Sequence, residues 1–331
     1  MVLQPGQGFQ SIWKTIPRAA TNMMQALKDT KMIRMLARNN GIKGENTDKF
    51  VFETETNLSD AVFKKFSTFI ISETGIKMPV SKKTMLQARL QKRMRKLKIK
   101  NYEQYYDYVL GAGNGADERI HMIDVVTTNK TEFFRESKHF NILTDSVLPE
   151  LIEKKGAGNR RPLSAWSAGC STGAEVYTLA MVLSDFAEKV KGFKFKILGT
   201  DICTQVLEKA RLGIYDEKEA DDIPMPMKKK YLLRSKDKSQ PKIRIVPELR
   251  KPVEFRRLNF MIDDFGLRTV MDIAFCRNVI IYFDRPTQEA VLGRICRYLS
   301  PGGYLFTGHS ETLNGYNLPL RQVGASVYQK T

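Results

Sequence analysis

The sequence predicts an α/β protein that carries a helical domain at its amino-terminal side, and three observations support this. Residues 58–136 read as successive helices. After Gly156, short apolar strands alternate with helices, the pattern of a mainly parallel sheet covered on both faces. Over residues 213–258 the alternation breaks, which predicts a small inserted antiparallel lobe. The expected organisation is an extension over residues 1–56, a helical domain with an interdomain segment over 57–136, and a sheet domain over 137–331.

Each element has a local reason. In the extension, Met23, Leu27, Met32, Met35 and Leu36 suggest an amphipathic helix over residues 18–39, stopped by Gly41 and Gly44. Ser59 can cap a helix bearing Val62, Phe63, Phe66, Phe69 and Ile70, closed by Gly75 and Pro79. Ser81 is expected to cap the next, whose apolar face is Leu86, Leu90, Met94 and Leu97. Two more helices are placed near residues 102–110 and 118–126. Strands are expected at 163–168, at 195–198 running on to Asp201, at 271–275 and at 304–307. Helices fall after residue 173, at 204–212 and at 287–298. Residues 243–246 and 253–255 are assigned to the inserted lobe, with an exposed turn over 235–241.

Composition narrows the function. The 331 residues carry a formal charge of +18, which attracts polyanions, acidic protein surfaces or anionic lipid without choosing among them. No apolar stretch approaches the roughly 18 residues that span a bilayer. The first ten residues lack the pattern of a secretory signal. The 4 cysteines are scattered with no CxxC pair, which reads as reduced cytosolic thiols and no zinc site. With only 3 histidines, metal-dependent hydrolysis and histidine acid–base chemistry are disfavoured. Residues 82–100 hold nine basic residues and no acidic one. Arg89, Arg93, Lys96 and Lys100 form one side of that helix and read as a docking face; the plainer alternative is a solvated face. Docking is favoured because such like-charge repulsion is more than solubility requires.

Residues 163–168 lead into a loop from Gly169 to Gly173 and then a helix, which makes a ligand position at the strand's carboxyl end. Glycine permits the tight turn and close approach of a ligand to backbone. The loop is neither GxGxxG nor followed by a Walker lysine. Asp201, at the end of the next strand, can accept hydrogen bonds from both ribose hydroxyls of an adenosyl group. The competing reading is an ordinary turn with a helix-capping aspartate.

Five blocks then resemble the chemotaxis receptor-glutamate methyltransferase family: residues 127–136 (TTNKTEFFRE), 166–173 (WSAGCSTG), 210–215 (ARLGIY), 276–284 (CRNVIIYFD) and 308–311 (GHSE). Their order and spacing extend the resemblance over residues 58–327. It implies a helical domain joined to a Rossmann-like S-adenosylmethionine methyltransferase domain with a small β-subdomain. The implied reaction esterifies glutamate carboxylates on methyl-accepting chemotaxis receptors and leaves S-adenosyl-L-homocysteine. The implied cofactor contacts are Asn129, Thr131, Arg135, Glu175, Asp201, Asn259, Phe260, Arg277 and Asn278, beside Gly169 of the loop. Arg135 and Tyr282 are the positions nearest the transferred methyl. The implied setting is cytoplasmic, meeting the receptor's helical bundle through the basic helix and reaching the membrane only through that receptor. A receptor tail peptide is a possible partner of the β-subdomain, and no metal or stable nucleic-acid partner is expected.

The chain departs from the family at Ala174-Glu175-Val176, where paired glutamates and a proline are usual, and at Cys203, where many relatives have an acid. An RNA or DNA methyltransferase and a non-catalytic chemotaxis adaptor are the rival readings. A glutamate carboxylate, with a reference pKa near 4.3, is already ionised at neutral pH, so no base is needed. The protein must align the reacting atoms and exclude water. Arg135 is expected to orient the cofactor's methionine end or the incoming carboxylate, and Tyr282 to supply a directional hydroxyl. Their plainer alternatives are an interdomain salt bridge and core packing beside Phe283. His121, His139 and His309 are given structural roles, His309 as a shaper of its loop.

Overall fold

The computed structural model describes residues 54–111 and 115–331. The helix expected over residues 18–39 lies outside the described residues.

Four helices build the helical part. Helix α1 (Asp60–Thr74) starts where Ser59 Oγ accepts the Val62 N–H at 3.3 Å, and ends at Gly75 in the left-handed region, φ +71°. Helix α2 (Lys83–Leu97) buries Leu86, Leu90 and Met94 completely. Ser81 does not cap it. Residues Val80–Lys82 wind as a 3-10 turn in which the Lys82 N–H reaches the Pro79 carbonyl, so Ser81 sits inside a turn rather than ahead of one. Helix α3 (Tyr102–Leu110) is capped by the Asn101 side chain at 2.8 Å, and α4 (Gly115–Val126) begins three residues earlier than expected.

Two of the four arginines and lysines assigned to docking are used within this fold. Arg93 Nε donates to Glu118 Oε1 at 2.6 Å, and the Tyr105 hydroxyl donates to the same oxygen at 2.8 Å. Glu118 is 3% exposed, so its charge is held by these partners alone. Arg89 Nη1 donates to the carbonyls of Val126 and Thr127 at 2.6 and 2.9 Å, closing the carboxyl end of α4. Lys96 and Lys100 are exposed.

Beyond two short helices, α5 (Lys138–Ile142) and α6 (Leu148–Lys155), the chain enters the sheet. Its strands are β1 (Leu163–Ala168), β2 (Phe195–Asp201), β6 (Val253–Arg257), β7 (Met271–Cys276), β8 (Leu299–Thr307), β9 (Leu320–Gly324) and β10 (Val327–Lys330). They lie in the order β6-β2-β1-β7-β8-β10-β9, parallel from β6 to β8, with β10 antiparallel to both neighbours. Along β1 the alternation is visible: Leu163 and Ala165 enter one core, Trp166 and Ala168 the other. The first core packs against α7 (Ala174–Lys189) through Leu179 and Leu183. The second packs against α11 (Arg285–Tyr298) through Val291, Leu292 and Ile295. Helix α8 (Thr204–Leu212) follows β2.

The inserted lobe is real but smaller than expected. Strands β3 (Ile214–Asp216), β4 (Leu232–Arg234) and β5 (Lys242–Ile245) form a three-stranded antiparallel sheet ordered β3-β5-β4, with helix α9 (Met225–Tyr231) before β4. Helix α10 (Pro247–Arg250) leads out of it. The residues assigned to the lobe at 253–255 belong instead to β6, which pairs in parallel with β2. As the outermost strand of the main sheet it alternates apolar and charged residues, so its sequence looks like that of a lobe strand. The antiparallel β9–β10 pair was not anticipated, being short and half-exposed. Among the described residues no helix is long and apolar enough to cross a membrane.

Replacing Glu118 with alanine strands the Arg93 charge and the Tyr105 hydroxyl, and should destabilise the protein by about 3–5 kcal/mol. Lys96→Ala should change stability by no more than about 0.5 kcal/mol. Urea melting of both variants measures this; an unshifted Glu118→Ala midpoint contradicts the buried-charge account.

Candidate active site

The carboxyl ends of β1, β2 and β7 face the segment that joins the helical and sheet parts, and between them lies a pocket of about 260 Å³. Asn129, Thr131, Arg135, Gly169, Glu175, Asp201, Asn259, Phe260, Arg277, Asn278 and Tyr282 all line it. The docking residues Arg89, Arg93, Lys96 and Lys100 do not.

The loop after β1 explains part of this convergence. Gly169 has φ +84°, and a Cβ there would lie 2.4 Å from Val279 Cγ2, so only glycine fits. Ser171 N donates to Asp201 Oδ2 at 2.8 Å and Cys203 N to Oδ1 at 2.9 Å, fixing the carboxylate while leaving lone pairs toward the pocket. Burial raises the Asp201 pKa, against the pull of those backbone donors. Glu175, in the first turn of α7, accepts from Ser167 Oγ at 2.7 Å; burial raises its pKa as well, opposed by Arg277 and Ser167. The departures beside it are packing positions. Ala174 and Val176 are buried in the core and neither lines the pocket, nor does Cys203.

Arg277 follows β7 and its side chain is 2% exposed. Its Nε lies 3.4 Å from Glu136 Oε2 and 3.6 Å from Glu175 Oε2. The guanidinium sits 5.6 and 5.9 Å from the ring centroids of Phe140 and Phe275, and Nη2 donates to the Arg135 carbonyl. Nη1 is buried with no hydrogen-bond partner among the described residues, a donor suited to an anionic ligand group. Burial raises the Glu136 pKa, but the Arg277 charge and donors from His309 and Asn278 outweigh it and hold the carboxyl below its ordinary value. His139 is driven down to about 4 by burial, then by Arg277. Glu136, His139 and His309 bring three ligand-type atoms within 4.8 Å. With Arg277 against the same Glu136 oxygen, a second cation there would meet strong repulsion.

Backbone strain gathers at this place. Phe134, Glu136, Ser171 and Asn278 have φ of +54°, +53°, +49° and +58°, four of the six such non-glycine residues described. Each costs about 1–3 kcal/mol and persists only where surroundings over-determine it. The Phe134 N–H donates to the fully buried Thr178 hydroxyl at 3.1 Å. The Asn278 loop is held by Glu311, which accepts from Asn278 N at 2.8 Å, Gly308 N at 2.7 Å and Ile281 N at 3.3 Å. The loop-shaping role expected of His309 thus falls mainly to Glu311, two residues on in the same block.

Tyr282 lies in a 3-10 turn (Ile280–Tyr282), half-buried, while the neighbouring Phe283 is buried. Arg135 makes no ion pair with any acid among the described residues, so the salt-bridge alternative is absent. The helical part also contributes a wall, which the sequence did not reveal: Thr74, Ile76, Met78, Lys82 and Met85 line the pocket. Lys77 N donates to the Tyr282 carbonyl at 2.9 Å and Asn259 Nδ2 to the Glu73 carbonyl at 2.7 Å, fastening that wall to the sheet. Lys82 Nζ stands 5.7 Å from the Tyr282 ring centroid, and burial, with repulsion from Arg89 and Lys77, lowers its pKa.

A doubly covered sheet of this order, with a glycine turn after its first strand, an acid closing its second and an unpartnered buried guanidinium donor after β7, defines a Rossmann-like methyltransferase that binds an adenosyl cofactor. Residues 129–329 match the family model described as CheR methyltransferase, SAM binding domain, and residues 61–127 match that for the CheR methyltransferase all-alpha domain. The chain belongs to the CheR methyltransferase family, and its cofactor is S-adenosyl-L-methionine. It is 37% identical over 286 residues to the chemotaxis protein methyltransferase of Borreliella burgdorferi, covering 86% of this chain and 99% of that one. It is also 37% identical over 257 residues to chemotaxis protein methyltransferase 2 of Pseudomonas aeruginosa, covering 77% and 88%. The chemotaxis protein methyltransferase of Escherichia coli is 35% identical over 271 residues, covering 82% and 91%.

Asp201→Asn should weaken S-adenosylhomocysteine binding by on the order of tenfold. Calorimetry reads this, and an unchanged affinity removes Asp201 from the binding set. A second expectation concerns pH. Unfolded His139 binds a proton below its ordinary 6.5, whereas the folded imidazole stays neutral down to about 4. Stability from this group is therefore complete above pH 6.5 and is lost as pH falls toward 4, by up to ~3 kcal/mol. Urea melts at pH 7 and 4.5 should show the loss in wild type and less of it in His139→Asn.

Proposed function

We propose that this protein transfers the methyl group of S-adenosyl-L-methionine to glutamate side-chain carboxylates on the cytoplasmic helical bundle of chemotaxis receptors, acting in the cytoplasm. The observation that carries this reading is the pocket's chemistry: Arg135 and Tyr282 share it, and no histidine lines it. That inventory suits a nucleophile which arrives already ionised. The relatives' names, chemotaxis protein methyltransferase, point the same way.

Bound S-adenosyl-L-methionine supplies an electrophilic methyl on a sulfonium. The reaction forms a bond from a carboxylate oxygen to the methyl carbon and breaks that carbon's bond to sulfur, which keeps the electron pair; no proton moves. Asp201 would accept from the ribose hydroxyls, and the unpartnered Arg277 Nη1 would take the carboxylate of the methionine end. Arg135 and Tyr282 would orient the reacting groups, while Asn129, Thr131, Gly169, Glu175, Asn259, Phe260 and Asn278 complete the enclosure and exclude water. Exposed Lys96 and Lys100 would steer the acidic side of the receptor bundle, with Arg89 and Arg93 fixing the helix that displays them. β4 is an outer strand of the lobe's sheet, and an extended receptor tail would add to its free side as a further strand.

With radiolabelled cofactor, receptor fragments should acquire base-labile label and bulk RNA none. Arg135→Ala should lower turnover by about 100-fold or more while leaving the melting temperature in place. Label on RNA alone, or near-normal turnover of Arg135→Ala, counts against the reading or the residue respectively.

A further inference from the structure

Lys82 was only one charge among nine in the sequence, yet its position differs from that of its neighbours on the basic helix. It holds the N-cap position of α2 at the end of the preceding 3-10 turn, half-buried, and lines the pocket. Its ammonium lies over the Tyr282 ring and donates to the Lys77 carbonyl at 3.1 Å. No acid among the described residues lies within ion-pair distance of it, whereas Lys65 and Lys83 on the same part do have such partners. A half-buried ammonium with one neutral acceptor keeps two donors unspent. Of the other cations that line the pocket, Lys130, Arg135 and Arg277, the last two are joined through the Arg135 carbonyl. Lys82 has its ammonium beside the Tyr282 ring.

We propose that Lys82 receives the substrate glutamate, its ammonium holding the carboxylate oxygen that does not attack, next to Tyr282. This deepens the methylation reading and rests on it. The proposal carries a specific energetic signature. As the oxygen–methyl bond forms, the carboxylate loses its negative charge, so an ammonium beside it binds the starting glutamate more strongly than the transition state. Such an interaction lowers KM and does not raise kcat. It also favours departure of the product, because the methyl ester is neutral and Lys82 no longer attracts it. One cation at the acceptor is therefore useful for capture and clearance, and several would hold the nucleophile too tightly to react.

The test compares Lys82→Met, which keeps the aliphatic stem, with Lys82→Arg, which restores the charge, on the full chain with a receptor fragment. Lys82→Met should raise KM for receptor about tenfold or more with kcat within about threefold of wild type. Lys82→Arg should recover most of the loss. The Lys82→Met defect should persist at 0.5 M salt, where the Debye length is only about 4 Å, while any defect of exposed Lys96→Met fades. As a readout independent of turnover, the S-adenosylhomocysteine-loaded wild type should bind a fragment with glutamates at the acceptor positions more tightly than one with glutamines. Lys82→Met should lose that preference. An unchanged KM, failure of arginine to rescue, a defect abolished by salt or a retained glutamate preference each overturns the assignment. If wild type places no base-labile methyl on the receptor, the methylation reading fails and takes this inference with it; if it does and Lys82→Met behaves as wild type, only the Lys82 role is lost.

Discussion

A guanidinium buried between two carboxylates sets the geometry on which the rest of the pocket depends. Arg277 is brought by β7, Glu175 by the turn after β1, and Glu136 by the interdomain segment, so three separate stretches of chain meet at one charge. Burying any of the three alone would be prohibitive, and together they offset one another. Asp201 adds a further carboxylate to the pocket wall, which also carries Lys82, Lys130 and Arg135. Burial pushes the Glu175 and Asp201 carboxyls up, against Arg277 and Ser167 at the first and backbone donors at the second. Glu175 and Asp201 offer carboxylates to the positively charged parts of a bound cofactor.

The strained residues follow from the same constraint. Phe134 and Glu136 flank Arg135 in left-handed backbone, which turns the Arg135 carbonyl onto Arg277 and its side chain toward the pocket. Asp124 adds a second tie, accepting from Thr204 N and its hydroxyl at 2.7 and 2.5 Å and so capping α8 from α4. Ser171 Oγ donates to the Asn129 carbonyl at 2.9 Å, a third tie. The helical part therefore does more than display a charged surface. Residues 74–85, between its first two helices and into the second, form a wall of the pocket, and movement there would be felt at Tyr282 through the Lys77 bond.

Where periodicity and burial agree, the sequence was enough to place elements to within a few residues. Strand β1, buried on both faces, and α8, closed by Gly213, were found at their true bounds. Failures arose where one local pattern served two structures. Val253 and Phe255 alternate with charge as a lobe strand would, but they lie at the edge of the main sheet. Ser81 resembles an N-cap, but a 3-10 turn already occupies its place. The pocket residues were legible because short blocks carried a family resemblance, with chemistry assigning Asp201. The resemblance did not expose Lys82, Thr178 or Glu311. Their importance comes from what they face or hold across the fold, and linear spacing does not encode that.

The large positive charge is then divided by position. Arg89 and Arg93 are spent on carbonyls and on Glu118, inside the helical part, while Lys92, Arg95, Lys96, Lys98 and Lys100 remain exposed. This division suits a reaction that destroys charge. Methyl transfer from a sulfonium to a carboxylate converts one cation and one anion into two neutral groups, so fixed cations close to the acceptor hold back the chemical step as they aid capture. Long-range attraction carries no such penalty, because it acts on encounter and is screened at distance. Exposed lysines outside the pocket, such as Lys96 and Lys100, can draw in an acidic helix without holding its glutamate back from reaction.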